Sequence, residues 1–204
     1  MNMAPTKSVL AQSIWQGKDA TYLRQLALVA FGVLLLAVCA KISVPMWPVP
    51  ITMGTFAVLG IGTVYGARLG LATIAAYLAV GAVGGNVFAG SSAQESGLAY
   101  MAGSTGGYLL GYVFATLIMG LLAGNGWDRT PLKMAGAMLI GNIAIYVPGL
   151  LWLGFLLGWD NPIFAWGLTP FIIGDLLKIS LAALLVPAAW KRANNAKSQG
   201  QSNE

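Results

Sequence analysis

The run Trp166-Gly-Leu-Thr-Pro-Phe-Ile-Ile-Gly-Asp-Leu-Leu-Lys-Ile-Ser-Leu-Ala-Ala-Leu-Leu-Val-Pro-Ala-Ala-Trp190 carries two charges, Asp175 and Lys178, in an otherwise apolar stretch. It is long enough to cross a bilayer, which takes about 20 residues. A charge at membrane depth costs at least about 2.5 kcal/mol on insertion scales, so such residues usually face a cavity or a pathway. A spacing of three sets both side chains on one helix face, where they neutralise each other. Ion pairs are poor stabilisers once desolvation is counted, which favours a binding role over a purely structural one. A carboxylate accepts hydrogen bonds and an ammonium donates them. The pair therefore suits a ligand that presents N–H beside C=O, such as a urea, an amide or a heterocycle. Counted from a helix start at Ala165, Asp175 falls roughly 15 Å below the outer face.

The rest of the chain supports an intramembrane setting. Of 204 residues, 57% are hydrophobic and 8% charged, against roughly 25% charged in ordinary soluble domains. Six acids and eleven bases cannot cover a water-soluble particle of this size, which excludes a cytosolic enzyme, a DNA-binding domain and a disordered chain. With no histidine and one cysteine, there is no His general base, no His-ligated metal and no intramolecular disulfide. Cys39, within Leu-Ala-Val-Cys-Ala, reads as a small buried hydrophobe. No acid, base and nucleophile constellation stands out, no Walker A sequence is present, and neither a cofactor nor a metal is expected.

Charge-free intervals, broken at Pro and Gly clusters, predict an all-α integral membrane protein of six transmembrane helices: about 22–42, 51–65, 71–83, 105–123, 133–157 and 165–190. Residues 1–21 form an N-terminal segment, with Val9, Leu10, Ile14 and Trp15 suiting a short interfacial helix, and 191–204 a polar, frayed tail. The third connection, Gly84 to Ser104, is rich in Gly and polar residues such as Asn86, Gln94 and Glu95, yet Val87, Phe88, Leu98 and Tyr100 favour an ordered cap. With a cytoplasmic N terminus, Lys7, Lys18, Arg24, Arg68, Arg129, Lys133, Lys191, Arg192 and Lys197 all lie inside and only Lys41 outside, as the positive-inside rule requires. Both termini are then cytoplasmic. The Pro-rich first connection, the Gly-rich third connection and the start of the sixth helix share the outer side.

Gly103-Ser-Thr-Gly-Gly-Tyr108 opens the fourth helix, with Thr105 as its expected N-cap and Gly106 and Gly107 offering backbone N–H groups to a ligand. The stripe Gly103, Gly107 and Gly111 suits helix packing or ligand contact equally, whereas Gly62, Gly66 and Gly70 suit packing. Trp47, Tyr100, Tyr108, Tyr146, Trp152, Trp159 and Trp166 fall in the outer half and read mostly as an interfacial belt. Tyr108, following the Gly-rich turn, is the one assigned to a pocket.

Four ordered blocks are familiar: Ile42-Ser-Val-Pro-Met-Trp-Pro-Val-Pro-Ile-Thr-Met53, Gly81-Ala-Val-Gly-Gly-Asn-Val-Phe-Ala-Gly90, Gly103-Ser-Thr-Gly-Gly-Tyr-Leu-Leu-Gly-Tyr112 and Asp175-Leu-Leu-Lys178. Together they resemble the BioY family, the biotin-binding S components of energy-coupling-factor (ECF) transporters, over about Leu26 to Ala188. The resemblance implies an S-component fold in the inner membrane that captures biotin from outside without chemical change. It implies as partners a transmembrane coupling protein and a pair of ABC ATPases; some members lack a dedicated energising module, so solitary or homo-oligomeric action stays open. By the same resemblance Asp175 and Lys178 hold the ureido ring and Asn86 assists, although the family often has Pro there. Thr52 matches the family's Pro-Val-Pro-Ile-Thr, while Gly54 stands where Gln is frequent. The motif by which many S components meet the coupling protein would fall at Ala30 to Leu34. The rival reading is a stand-alone, ion-coupled carrier of a small vitamin-like solute, with Asp175 as its protonatable site; uptake with and without an ATPase partner separates the two.

On this topology, cysteines introduced at Ser92 or Gln94 react with an impermeant thiol reagent from the external side, and less so with ligand bound. Labelling confined to the cytoplasmic side overturns the orientation.

Overall fold

A computed structural model describes residues 9–11, 21–90 and 96–201; Ile14 and Trp15 of the expected interfacial helix, and Ser92, Gln94 and Glu95 of the third connection, lie outside the described residues. Helix α1, Thr21–Lys41, leads into a small antiparallel hairpin in which Ser43 pairs with Thr52 and Val44 with Ile51. Pro45, Pro48 and Pro50 hold the intervening loop out of helix, and the Trp47–Pro48 bond is cis. The second helix was expected from Ile51; α2 instead covers Gly54–Ala82. Ile51 and Thr52 are engaged in the hairpin, and the Thr52 hydroxyl accepts the Gly54 N–H at 2.9 Å, satisfying one free donor of the helix start.

Gly66 breaks α2 at φ 77°, ψ 177°, a backbone region open essentially to glycine alone. A Cβ on Gly70 would sit 3.5 Å from the Gly62 Cα, whereas eight residues of unbroken helix span about 12 Å. The chain therefore folds back at Gly66, and α2 is two antiparallel crossings joined by a single residue rather than by the expected Gly66–Gly70 turn. Helix α3, Gly97–Ala102, is short; α4, Gly106–Gly124, follows, then α5, Pro131–Leu157. Added Cβ atoms at Gly62, Gly70 and Gly120 would fall 2.2–2.9 Å from atoms across the α2–α4 contact, and one at Gly111 would fall 2.7 Å from Ile145 on α5. Small residues let α4 lie between both legs of α2 and α5.

The sixth segment departs from the expected start at Ala165. A short α6, Ile163–Gly167, is followed by a 3-10 turn, Thr169–Phe171, before α7, Ile172–Gln201, begins. Pro170 has no N–H and disfavours the helical conformation at Thr169, so one helix cannot run through. Asp175 consequently sits in the first turn of α7 rather than several turns below its start. The helix also runs on beyond Trp190 where a frayed tail was expected.

Among the described residues, five helices are long and apolar enough to cross a membrane, and the reversal at Gly66 makes six crossings. Leu139, Ile143, Val147 and Leu151, four apart on α5, form an exposed apolar stripe suited to lipid and not to water. The chain is a multi-pass membrane protein. Both terminal regions reach one end of the bundle: Val9 lies against Gly66, and the Trp190 indole donates to the Asp128 carboxylate at 2.5 Å. Asp128 belongs to a 3-10 turn, Trp127–Arg129, where burial pushes its carboxyl up against the opposing pull of the Trp190 bond and Arg129. The Arg129 guanidinium lies 4.7 Å from the Trp190 ring centroid.

The opposite end carries the hairpin, the third connection and α6. Its cap is ordered by Phe88, which occupies the space that Gly81 leaves free and packs edge-on to Tyr77 and stacked on Tyr100, with ring centroids 5.3 and 5.2 Å away. Tyr77 donates to the Val87 carbonyl and the Gly90 N–H donates to the Tyr100 hydroxyl.

The Gly66 reversal yields a paired expectation. Gly66→Ala forces a side chain into a glycine conformation and against Val9, and lowers stability by about 1–3 kcal/mol. Gly60→Ala, at a helical position with open space around the new methyl, leaves stability unchanged or raises it by up to about 1 kcal/mol. Thermal unfolding of the detergent-purified variants distinguishes them; equal behaviour contradicts the reversal.

Candidate functional site

Lys178 enters from α7 one turn after Asp175, and its three donors reach the Thr52 carbonyl at 2.8 Å, the Thr55 hydroxyl at 2.9 Å and Asp175 Oδ1 at 3.2 Å. The other carboxylate oxygen, Oδ2, accepts a short hydrogen bond from the Tyr146 hydroxyl of α5. Both charged residues are buried. An ammonium has three donors and an ionised carboxylate only accepts, so this arrangement satisfies each charge by partners from the hairpin, α2, α5 and α7. The start of α7 at Ile172 places the pair near the hairpin end.

Beside this cluster lies an inner cavity of about 50 Å³, walled by Thr52, Thr55, Tyr108, Tyr112, Tyr146 and Phe171, with Tyr77, Phe88 and Tyr100 on its outer side. A larger cavity of about 370 Å³ lies between the Pro-rich hairpin loop and the Gly103–Thr105 turn. The two share Pro50, Ala89, Tyr100 and Thr105, which form the partition between them. The hairpin loop is fastened over the outer cavity by the Ser104 hydroxyl, which donates to the Pro48 carbonyl at 2.6 Å, and by Trp47 against Trp166 at 5.0 Å.

Of the residues singled out from sequence, Asp175, Lys178 and Thr52 meet in the polar cluster, and Thr105 and Tyr108 line the inner cavity. Tyr108 donates to the Gly167 carbonyl at 2.9 Å. Thr105 occupies the N-cap position of α4, but its side chain makes no capping bond, contrary to expectation. Gly106 and Gly107 face protein: added Cβ atoms would fall 2.1 Å from the Met101 carbonyl and 2.3 Å from Trp152 Cβ. Asn86 stands apart from the inner cavity, its side-chain carbonyl accepting from Lys41 at 2.6 Å.

Sequence reasoning missed Thr55 and read Tyr146 as a belt residue and Tyr100 as belt or cap. It also passed over Tyr77 and Tyr112, although a phenol in mid-span requires a polar partner and so carries a signal. Tyr146, also in mid-span, carried the same signal, but its partner, 29 residues away on another helix, was not legible. Among the described residues, no three His, Cys, Asp or Glu side chains gather to hold a metal ion.

Residues 7–195 match the model of the BioY family. A probable biotin transporter BioY of Pyrococcus horikoshii is 39% identical over 162 residues, covering 79% of this chain and 93% of that one. The biotin transporter BioY2 of Lactococcus lactis subsp. cremoris is 34% identical, covering 80% and 88%, and the biotin transporter BioY of Thermotoga maritima is 33% identical, covering 80% and 94%. A crystal structure of the S-component for biotin from an ECF-type ABC transporter shares the fold, with a TM-score of 0.68 over 86% of this chain and 95% of that one at 22% identity. The match over nearly the whole membrane region, joined to six crossings and the buried Asp175–Lys178 pair, places the chain in the BioY family.

Proposed function

We propose that this chain captures biotin at the outer face of the cytoplasmic membrane and serves as the substrate-binding subunit of an ECF-type transporter, with a coupling protein and a pair of ABC ATPases as partners. Both termini are cytoplasmic in this reading, and the hairpin end faces outward. The observation that carries it is the buried Asp175–Lys178 pair beside a cavity in a chain whose relatives are named biotin transporters. A cyclic urea offers N–H donors beside a carbonyl acceptor. Its carbonyl takes a hydrogen bond from Lys178 in place of Thr52 or Thr55, and an N–H group turns to the carboxylate.

This reading carries an order of events. Pockets that enclose small ligands usually measure about 300–1,000 Å³, so an inner cavity of about 50 Å³ describes a contracted, self-satisfied site. Entry of a bicyclic head requires the partition of Pro50, Ala89, Tyr100 and Thr105 to give way, while the flexible tail rests in the outer cavity. Binding and release involve no covalent change, and the subunit is not an enzyme.

Titration of detergent-purified protein with biotin tests the assignment. Lys178→Ala removes a ligand donor and strands Asp175, so most binding is lost and stability falls by up to about 3–5 kcal/mol unless the acid takes up a proton. Asp175→Asn weakens binding by roughly 1–3 kcal/mol, the scale of a hydrogen bond to a charged group. Asp175→Asn with Lys178→Met restores stability and not binding. Parental affinity in both single variants makes the pair structural and sinks the assignment. The purified chain alone binds biotin without hydrolysing ATP; turnover of ATP by rigorously pure protein contradicts the division of labour.

A further inference from the structure

We propose that Tyr146 is a specificity-determining residue of this site: it fixes the orientation of Asp175 and presents its own phenolic oxygen as the second acceptor for a ligand bearing two N–H groups. This inference rests on the biotin reading for the identity of the ligand and on the structure for the role of the phenol.

The inner cavity is walled by five tyrosines, and four of them are committed to holding the protein together. Tyr77 donates to the Val87 carbonyl and Tyr108 to the Gly167 carbonyl. Tyr100 accepts from the Gly90 N–H, and Tyr112 bonds the Thr52 side chain. Tyr146 alone among them bonds a charged side chain, Asp175. Its ring is held between Tyr108 and Phe171, with centroids 6.2 and 6.0 Å away in edge-on geometry, so the hydroxyl has little freedom to turn elsewhere.

The direction of the bond decides what the ligand meets. An ionised carboxylate has no hydrogen to give, so the phenol must be the donor. With its single hydrogen spent on Asp175 Oδ2, the Tyr146 oxygen keeps its lone pairs, on a side chain that lines the cavity. Lys178 meanwhile takes Oδ1. Of the three, Tyr146 lines the cavity, while Asp175 and Lys178 are bonded to residues that line it, Tyr146, Thr52 and Thr55; a ligand that displaces those bonds meets two acceptors, the Asp175 carboxylate and the Tyr146 oxygen, and one donor, Lys178. That is the complement of a cyclic urea with its two N–H groups and one carbonyl. A ligand with an acceptor in place of one N–H leaves a buried lone pair without a partner, the arrangement by which polar sites discriminate strongly.

A double-mutant cycle with biotin, together with infrared spectra of the ligand-free protein, tests the role. Tyr146→Phe keeps the ring and weakens biotin binding roughly tenfold or more, the scale of a hydrogen bond to a charged group. In an Asp175→Asn background the same change has a much smaller effect, because residues acting as a unit are not additive. Tyr65→Phe, which removes a phenol bonded to the Leu28 carbonyl away from the cavity, leaves affinity within about twofold, as exposed or remote polar contacts do. In the ligand-free protein, the carboxylate stretch assigned to Asp175 by its loss in Asp175→Asn shifts in Tyr146→Phe and not in Tyr65→Phe. Parental affinity in Tyr146→Phe, equal losses in both backgrounds, or an unshifted carboxylate band overturns the proposal. If the parental protein does not bind biotin, the functional reading falls, and the infrared comparison still decides whether Tyr146 holds Asp175.

Discussion

A buried ammonium cannot leave a donor unpaired, and satisfying Lys178 ties together segments far apart in the chain. Thr52, 126 residues earlier, supplies a backbone carbonyl from the end of the hairpin, and Thr55 a hydroxyl from the first turn of α2. Asp175 supplies the compensating charge and is itself held by Tyr146 from α5. Desolvating two opposite charges is costly even when they meet, so the helices that bring these partners must approach in one arrangement. The hairpin, α2, α5 and α7 share this point.

Close approach is made available by glycine. Along the α2–α4 and α4–α5 contacts, a methyl at Gly62, Gly70, Gly111 or Gly120 would overlap the neighbouring helix. In lipid the hydrophobic effect does not press helices together, so van der Waals contact between backbones must do so. The reversal at Gly66 serves the same end: it lets two crossings lie side by side with α4 against both, and no other residue type adopts that backbone conformation without strain. Packing of the membrane half thus sets the depth and rotation at which Thr52, Thr55 and Tyr146 meet α7.

Above the cluster, the described parts of the third connection, 84–90 and 96–104, pack onto the bundle. Phe88 in the slot at Gly81, stacked on Tyr100, makes the cap continuous with the bundle. The partition between the inner and outer cavities is built partly from that cap, through Ala89 and Tyr100, and partly from the hairpin, through Pro50. Thr52 joins the hairpin to the polar cluster, its carbonyl accepting from Lys178 and its hydroxyl accepting the Gly54 N–H at the start of α2.

The sequence by itself determined the class, the crossings and the charged pair. Apolar intervals and the placement of Lys and Arg are sums along the chain, so hydropathy over about 20 residues finds spans without knowing their neighbours. Asp175 and Lys178 stood out because a charge in lipid is expensive wherever the helix lies. The Gly-rich turn beside Tyr108 was legible from its residues, and the family blocks added Thr52. Tertiary structure decided the rest. Tyr146 was grouped with the interfacial aromatics, and only the rotation of α5 against α7 turns its phenol toward Asp175. Gly106 and Gly107 were read as backbone donors to a ligand, and only the packed bundle shows Met101 and Trp152 where their side chains would stand. The start of α7 at Ile172, which brings Asp175 near the hairpin, depended on Pro170 stopping a segment whose hydropathy continues without a break. Hydropathy is local and additive, whereas a hydrogen bond between helices depends on distance and direction, which are properties of the packed bundle.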